Sequence, residues 1–352
     1  MAAPESPARV LIRAPNWLGD AILAVPAMAA IRRHFGAADL TVATAASVAP
    51  LFRERTPVRP ARVIALAGHD RTDRAAIAAV GANLAILLTN SFRSAWQIRR
   101  AGVPARWGYA ASGRGLLLTR RVGRPRRRDV RHQADYYRAL VTGLDIPCPA
   151  GDRPAFELSP ASVAAADAAL HRVGVAAGER LVVMLPGAAY GQAKQWPADR
   201  AADLAARLVR DRGVVCVLAG AAHDRPAARA IESRLRAHAP HEAGRVVDLV
   251  GHTSLGAFLG VLGRATVCVT NDSGGMHAAS ALGRPVVALF GPTDERATSP
   301  KGDHDLLTAS VFCRPCMLRD CPIDHRCMTR ITIDRVYDAV ARRLETAGGA
   351  HP

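Results

Sequence analysis

The residues best suited to chemistry lie between Val267 and Pro292, where two short apolar runs flank N-D-S-G-G-M-H-A-A-S-A-L-G-R. The runs predict strands, and the segment between them predicts a tight turn followed by a helix. Gly274 and Gly275 fall in the first turn of that helix, at the positive end of its dipole. Glycines there leave backbone N–H groups bare, which suits a phosphate. The alternative is an ordinary α/β turn in which the glycines serve packing.

The residues around the glycine pair can add to such a site. Asp272 and Ser273 can cap the helix, and His277 falls about one turn in, where its ring can donate. The stretch from Asn271 to Pro292 resembles the nucleotide-sugar motif of the ADP-heptose:lipopolysaccharide heptosyltransferases, glycosyltransferase family 9. The resemblance implies that ADP-heptose is bound by Asp272, Ser273, Gly274, Gly275, Met276 and His277.

The resemblance extends from Val10 to about Val340 and implies the fold. These enzymes are inverting glycosyltransferases of α/β class with the GT-B fold, in which two Rossmann-like domains face an interdomain cleft. The implied division is an acceptor-binding domain over residues 1–150, an ADP-heptose-binding domain over 160–330, and a helix and tail over 331–352. Independently, strand-like runs that alternate with helical stretches indicate parallel sheets with covering helices.

Asp20 follows the first predicted strand, Arg9–Arg13, and precedes a predicted helix, Ala21–Phe35. In open α/β sheets ligands bind at the carboxyl ends of the strands. Spacing alone leaves a helix-capping role equally open. The W-L-G-D turn is similar to the family's catalytic aspartate segment, which implies that Asp20 accepts the proton of the acceptor hydroxyl.

Two further loops follow predicted strands. T-N-S-F-R-S-A-W resembles a segment of the heptosyltransferase II branch and implies acceptor binding by Asn90, Ser91 and Arg93. A turn with a capping serine is the alternative. P-G-A-A-Y-G-Q-A-K-Q-W-P also has the form typical of that branch. It implies that Lys194 is catalytic and binds ADP-heptose, neutralising charge on the departing β-phosphate. From spacing alone, Lys194 reads as a surface lysine.

Composition limits the classes of partner. The 352 residues suffice for two domains, and the net charge of +17 implies attraction to phosphates, nucleic acid or an anionic membrane. No basic repeat interleaved with aromatic residues is present, so a nucleic-acid partner is not predicted. A dense arginine run is usually a solvated face, whereas the resemblance implies that some of these side chains bind acceptor phosphates or lipid head groups. The run comprises Arg99, Arg100, Arg106, Arg114, Arg120, Arg121, Arg124, Arg126, Arg127, Arg128 and Arg131.

Four cysteines, Cys313, Cys316, Cys321 and Cys327, occupy 15 residues near the end of the chain. Four thiols in one loop can close a tetrahedral site for structural zinc or iron. The alternative is a set of reduced, packing cysteines. Related heptosyltransferases that modify autotransporters carry a four-cysteine metal finger, which favours the metal. No cofactor is expected for catalysis, because no G-x-G-x-x-G follows the first strand and the D-x-D at residues 303–305 falls in a predicted polar turn.

The N-terminus lacks the features of a signal peptide, and no apolar run approaches the roughly 18 residues that span a bilayer. We therefore expect a cytoplasmic protein, peripheral at the cytosolic face of the inner membrane. The resemblance implies transfer of L-glycero-D-manno-heptose from ADP-heptose to the first heptose of the lipopolysaccharide inner core, heptosyl-Kdo2-lipid A. The alternatives are another acceptor, such as a different core sugar or a protein hydroxyl, and a non-catalytic ADP-sugar binder. The expected partners are ADP-heptose, the phosphorylated lipid A acceptor and an anionic membrane surface.

Overall fold

In the computed structural model, which describes residues 7–126 and 129–348, the chain folds into two α/β units, Met1–Glu157 and Leu158–Pro352. Arg127 and Arg128 of the arginine run, and residues 349–352 of the predicted tail, lie outside the described residues. The segment that precedes the second unit is held on the first. Within it Asp145 pairs with Arg120, and Asp152 pairs with Arg33 at 2.7 Å.

The first unit contains a six-stranded parallel sheet with strand order β3-β2-β1-β4-β5-β6. The order reverses between β1 and β4, and such a switch point is where open α/β sheets bind ligands. The strands are β1 Arg9–Arg13, β2 Asp39–Ala45, β3 Arg62–Leu66, β4 Leu84–Leu87, β5 Ala105–Tyr109 and β6 Arg120–Val122. The helices are α1 Leu18–His34, α2 Asp70–Ala78, α3 Phe92–Arg100 and α4 Gln133–Thr142, with 3₁₀ turns at Ala49–Arg53 and Arg114–Leu117.

The second unit repeats this plan with strand order β12-β11-β10-β7-β8-β9, all parallel, and its switch point lies between β10 and β7. The strands are β7 Leu181–Leu185, β8 Val215–Leu218, β9 Val246–Asp248, β10 Val267–Asn271, β11 Val286–Phe290 and β12 His304–Thr308. The helices are α5 Pro160–Arg172, α6 Ala198–Arg212, α7 Arg225–His238, α8 Pro240–Ala243, α9 Leu255–Arg264, α10 Gly274–Ala281, α11 Glu295–Thr298, α12 Arg326–Thr329 and α13 Ile333–Gly348, with 3₁₀ turns at Gln192–Lys194 and Ala222–Asp224.

Strands β4, β7 and β11 are apolar throughout and buried along their whole length. Unbroken apolar runs are typical of parallel strands that helices cover on both faces. In the second unit, α6 and α13 pack together over one face of the sheet. None of the helices in the described ranges combines the length and the apolarity required to cross a bilayer.

One local prediction is wrong. The D-x-D sequence was expected in a polar turn, but residues 304–308 form the edge strand β12. Arg343 of α13 contacts both carboxylates, with its Nε 2.8 Å from Asp305 Oδ2 and a further ion pair to Asp303. These two aspartates therefore fix the last helix against the sheet edge.

Candidate active site

The glycine pair lies where the sequence predicted, in the first turn of α10, immediately after β10. Ser273 occupies the capping position, but no side chain caps the helix; its Oγ lies 3.2 Å from Thr270 Oγ1. The first-turn N–H groups thus keep their free partial charge, which favours an anion. Met276 is fully buried, and His277 is 6% exposed. The group that Met276 offers at this end of the helix is therefore its backbone amide and not its side chain.

Gly275 has a packing reason to be glycine. A Cβ there would lie 2.4 Å from Leu185 Cδ1 and 3.1 Å from Phe258 Cζ, so α10 approaches the sheet only without a side chain at this position. Gly187 is constrained in the same way, because a Cβ would lie 1.9 Å from the carboxylate of Asp224. Packing therefore sets the approach of these backbones at the carboxyl ends of β7 and β10.

Lys194 and Asp272 form a buried ion pair beside the first turn of α10. The Lys194 Nζ lies 2.6 Å from Asp272 Oδ2, and the side chains are 11% and 5% exposed. Thr293 donates to the same carboxylate oxygen at 2.7 Å, and Thr298 donates to the other at 3.4 Å. The ring centroid of Tyr190 lies 4.7 Å from the ammonium, within cation–π range. Asp272, predicted to cap the helix, instead anchors the lysine.

The loop that carries Lys194 is tied to the sheet and to the end of the chain. The Asn271 side chain accepts from the backbone N–H of Trp196 at 3.1 Å and donates to Pro186 O at 2.9 Å. The indole N–H of Trp196 donates to Ile331 O at 3.0 Å, and Arg200 donates to the same carbonyl at 2.9 Å. Buried polar groups paired in this way fix a single conformation. The loop that carries Lys194 is therefore held by the sheet through Asn271 and by the end of the chain through Ile331.

In the first unit, Asp20 lies in the first turn of α1 and so does not cap the helix; Trp17 occupies that position. The Tyr137 hydroxyl, from α4, donates to Asp20 Oδ1 at 3.3 Å. Burial, and then the nearby Asp20 carboxylate, raise the pKa of Tyr137 well above its ordinary value, so the phenol stays protonated and donates. The hydrogen bond therefore orients the Asp20 carboxylate beside the first turn of α1.

The three predicted acceptor residues have different surroundings. Asn90 donates to the Tyr136 hydroxyl at 2.9 Å, which places it next to the tyrosine pair that reaches Asp20. Ser91 caps α3 by accepting from the Ser94 N–H at 3.2 Å, which is the alternative that the sequence left open. Arg93 is exposed and donates to Gly68 O at 2.6 Å.

Sequence reasoning missed the side chains that hold the key groups. Tyr137 and Thr293 have no local signal, because each meets its partner only through the fold. Arg114 was placed in a charged surface run but is fully buried. Its Nε donates to Tyr109 O at 2.9 Å, and burial lowers its pKa to about 10.

The cysteine loop does not match the predicted metal site. All four thiols are free, and within residues 7–126 and 129–348 no three His, Cys, Asp or Glu side chains are grouped so as to hold a metal ion. Cys327 is buried and Cys313 half-buried, whereas Cys316 and Cys321 are exposed. Burial raises the pKa of Cys327, and the other three thiols raise it further. In this arrangement the four thiols lie in one loop but do not converge on a point that a metal ion could occupy.

Comparison with known proteins gives consistent matches. The profile of glycosyltransferase family 9 (heptosyltransferase) matches residues 74–326. Lipooligosaccharide heptosyltransferase 2 of Haemophilus influenzae is 30% identical over 306 residues, covering 84% of this chain and 86% of that protein. Lipopolysaccharide heptosyltransferase 2 of Escherichia coli K12 is 30% identical over 303 residues, covering 83% and 85%.

The fold gives the same result. The structure of E. coli ADP-heptose lipopolysaccharide heptosyltransferase II superposes with a TM-score of 0.83 at 26% identity, covering 97% of this chain and 99% of that one. The predicted α/β class, two Rossmann-like units of the GT-B type, is thereby confirmed. The chain is a glycosyltransferase and belongs to glycosyltransferase family 9, the heptosyltransferases.

Proposed function

We propose that this glycosyltransferase transfers L-glycero-D-manno-heptose from ADP-heptose to the first heptose of the lipopolysaccharide inner core, heptosyl-Kdo2-lipid A. The observation that carries the proposal is the buried Lys194–Asp272 pair beside the uncapped first turn of α10. An ammonium and bare amides at one point form a receptor for a diphosphate. The names of the relatives, lipopolysaccharide and lipooligosaccharide heptosyltransferase 2, support the same donor and acceptor class.

In the proposed reaction, Asp20 takes the proton from the acceptor hydroxyl. That oxygen bonds to the anomeric carbon of heptose from the face opposite ADP. The bond between this carbon and the β-phosphate oxygen breaks, so configuration inverts and ADP leaves with the bonding electron pair. The Tyr137 hydroxyl, 3.3 Å from Asp20 Oδ1, orients the carboxylate. General-base assistance of this kind contributes roughly a hundred- to ten-thousandfold in rate.

Lys194 and the backbone N–H groups of Gly274, Gly275 and Met276 offset the charge that grows on the β-phosphate, with Ser273 and His277 as further donors. Asp272 acts through Lys194, which it holds at 2.6 Å. The reaction requires Asp20 to reach the acceptor hydroxyl while Lys194 contacts the β-phosphate of the donor.

For the acceptor, we propose contacts from Asn90 and Arg93, with the Ser91 hydroxyl serving to cap α3. Some of the exposed arginines between Arg99 and Arg131 are proposed to contact acceptor phosphates or lipid head groups, and the buried Arg114 is not among them. Because this acceptor is membrane-embedded, we place the enzyme in the cytoplasm, at the cytosolic face of the inner membrane. The net charge of +17 favours an anionic surface.

We also propose that Cys313, Cys316, Cys321 and Cys327 can hold a structural zinc or iron. Support comes from the spacing of the four thiols in one loop. Binding would have to draw the four side chains together, because in the described residues they are not grouped around one point. Metal analysis of the purified protein tests this. About one metal per chain, lost in a Cys316→Ser/Cys321→Ser variant that keeps its turnover, is expected. Metal-free protein of unchanged thermal stability would contradict it.

The overall proposal is tested by incubating the purified protein with ADP-heptose and heptosyl-Kdo2-lipid A, followed by mass spectrometry. We expect the acceptor to gain the mass of one heptose while ADP is released. Transfer only to another core sugar or to a protein hydroxyl would replace the acceptor assignment. Binding of ADP-heptose with no product on any acceptor would indicate an ADP-sugar binder.

A further inference from the structure

A cavity in the first unit lies away from the residues assigned to heptose transfer. Its volume is about 700 Å³, and its walls come from the end of the 3₁₀ turn Ala49–Arg53, the loop to β3 and residues 155–157. That volume lies within the range of small-molecule binding sites. An antiparallel bridge between Arg55 and Glu157, with N–O distances of 3.0 and 3.1 Å, ties two of these walls together.

The cavity lies at the amino edge of the sheet. The Ala61 N–H, from its lining, donates to Leu40 O at 2.8 Å, at the start of β2. Asp20 and Asn90 instead follow the carboxyl ends of β1 and β4. Since all strands of this sheet are parallel, the two locations are at opposite edges. A ligand in the cavity therefore occupies a site separate from the one proposed for the acceptor.

The lining is rich in unpaired positive charge. Arg53, Arg55, Arg59 and Arg62 all line the cavity and are exposed, and their side chains form no ion pair or hydrogen bond within the described part of the chain. Glu54 and Glu157 also line the cavity, so its lining residues carry four positive and two negative charges. Forked guanidinium donors match phosphate oxygens in geometry as well as in charge.

One buried hydroxyl supplies an independent observation. Thr56 lines the cavity and is 3% exposed, yet its Oγ1 has no hydrogen-bond partner among the residues described. A buried hydroxyl without a partner is unfavourable and uncommon in folded proteins. An oxygen-rich ligand would supply the missing partner where the four guanidinium groups supply the countercharge.

We propose that this cavity is a second anion-binding site, which takes a phosphate-bearing ligand independently of the donor and acceptor sites. The ligand's phosphate oxygens would contact the four arginines and accept from the Thr56 hydroxyl. Two sources carry this chemistry, a soluble phosphorylated molecule and the head group of an anionic lipid. No bond is made or broken in the site, so binding alone is the property to measure.

Calorimetric titration of the full chain with inorganic pyrophosphate tests the proposal. A cavity variant carries Arg53→Gln, Arg55→Gln and Arg59→Gln. A control variant removes the same charge from exposed positions of the second unit, with Arg172→Gln, Arg229→Gln and Arg335→Gln. We expect the cavity variant to lose one class of pyrophosphate site while the control keeps it. Equal weakening in both variants, or an unchanged isotherm in the cavity variant, would overturn the site.

Thr56→Val tests the hydroxyl, because valine keeps the shape and removes the oxygen. We expect the free protein to melt at a higher temperature and pyrophosphate to bind this site several-fold more weakly. A lower melting temperature with unchanged affinity would show that the hydroxyl serves the fold alone and would overturn its part in the site.

Sedimentation with vesicles separates the two sources of the ligand. If phosphatidylcholine vesicles containing phosphatidylglycerol, but not pure phosphatidylcholine, retain the wild type more than the cavity variant, the ligand is a lipid head group. If both proteins sediment equally while only the wild type keeps its extra pyrophosphate site, the ligand is soluble.

Discussion

The Lys194 ammonium lies 2.6 Å from Asp272 Oδ2, and the two side chains are almost completely buried. Asp272 immediately precedes the first turn of α10, whose amides no side chain caps. The ion pair therefore presents a cation next to a helix N-terminus and keeps it there by a carboxylate that Thr293 also holds. Two positive features at one point, the ammonium and the helix N-terminus, suit a diphosphate.

Replacing this lysine separates stability from catalysis. Lys194→Met leaves the Asp272 carboxylate buried without its cation, so we expect a loss of about 3 kcal/mol in the free energy of unfolding. Lys194→Met/Asp272→Asn removes both charges and should regain most of that stability, measured by denaturant unfolding. Turnover should stay low in both variants. Activity restored together with stability would show that Lys194 serves only the fold.

Asp20→Asn keeps the shape of the side chain and removes its capacity as a base. We expect turnover to fall by roughly a hundredfold or more, with affinity for ADP-heptose unchanged, because the proposed donor contacts all lie in the second unit. The readouts are the rate of ADP release and calorimetric titration with ADP-heptose. Asp39→Asn, at an exposed strand start, is the matched control. Wild-type turnover in Asp20→Asn would remove the assignment.

Tyr137→Phe tests the group that orients Asp20. We expect about a tenfold lower turnover, the size expected for one hydrogen bond to a charged group. The acidic limb of the pH–rate profile should also move to higher pH, because the carboxylate loses a donor that favours its ionised form. An unchanged limb with a merely lower rate would indicate a packing role. Tyr109, which hydrogen-bonds the backbone of Tyr136 at 2.8 Å, provides Tyr109→Phe for comparison.

Asp224 predicts a pH dependence of stability. Burial raises its pKa above 3.8, an effect that His223 and the Ala221 N–H only partly offset. The folded state therefore binds this proton more tightly than the unfolded state, so the contribution of Asp224 to stability is present at low pH and lost as pH rises through the folded pKa. In denaturant unfolding measured from about pH 4 upwards, the wild type should lose more stability, or gain less, with rising pH than Asp224→Asn does. Parallel slopes would contradict this.

The aspartates of the D-x-D sequence should be dispensable for catalysis. They hold Arg343, with Nε at 2.8 Å from Asp305, so their charge is already matched. We expect Asp303→Asn/Asp305→Asn to lower stability by about 1 kcal/mol, since partly exposed pairs contribute little, and to keep normal turnover. A loss of rate that added Mg²⁺ or Mn²⁺ restores would show that these carboxylates bind a catalytic metal.

The fold was predictable where the strands are apolar. Arg9–Arg13, Leu181–Leu185 and Val286–Phe290 are strands with the bounds that their hydrophobic runs predict. β5, β6 and β12 were not predicted, because arginine, glycine and aspartate interrupt the apolar pattern there. Pairing with a neighbouring strand makes them strands, and pairing is a non-local property that propensity does not contain.

The candidate site was predictable as a set of segments and not as a set of contacts. The residues placed at strand ends, Asp20, Asn90, Lys194 and Asp272, do lie there, because parallel strands bring their carboxyl ends to one edge. The partner of Asp20 is 117 residues away, which no local pattern encodes. A strand-to-helix order predicts where a loop lies, but the packing of α1 on α4 decides which hydroxyl reaches the carboxylate.

The hydrogen bond from the Trp196 indole to Ile331 O joins positions 135 residues apart. It attaches the loop that carries Lys194, the proposed β-phosphate contact, to the segment that leads into the final helix. Shortening the chain before Ile331 would thus weaken donor recognition while leaving every residue proposed to touch ADP-heptose in the sequence. The backbone carbonyl of Ile331 therefore supports the proposed donor site as well as the packing of the last helix.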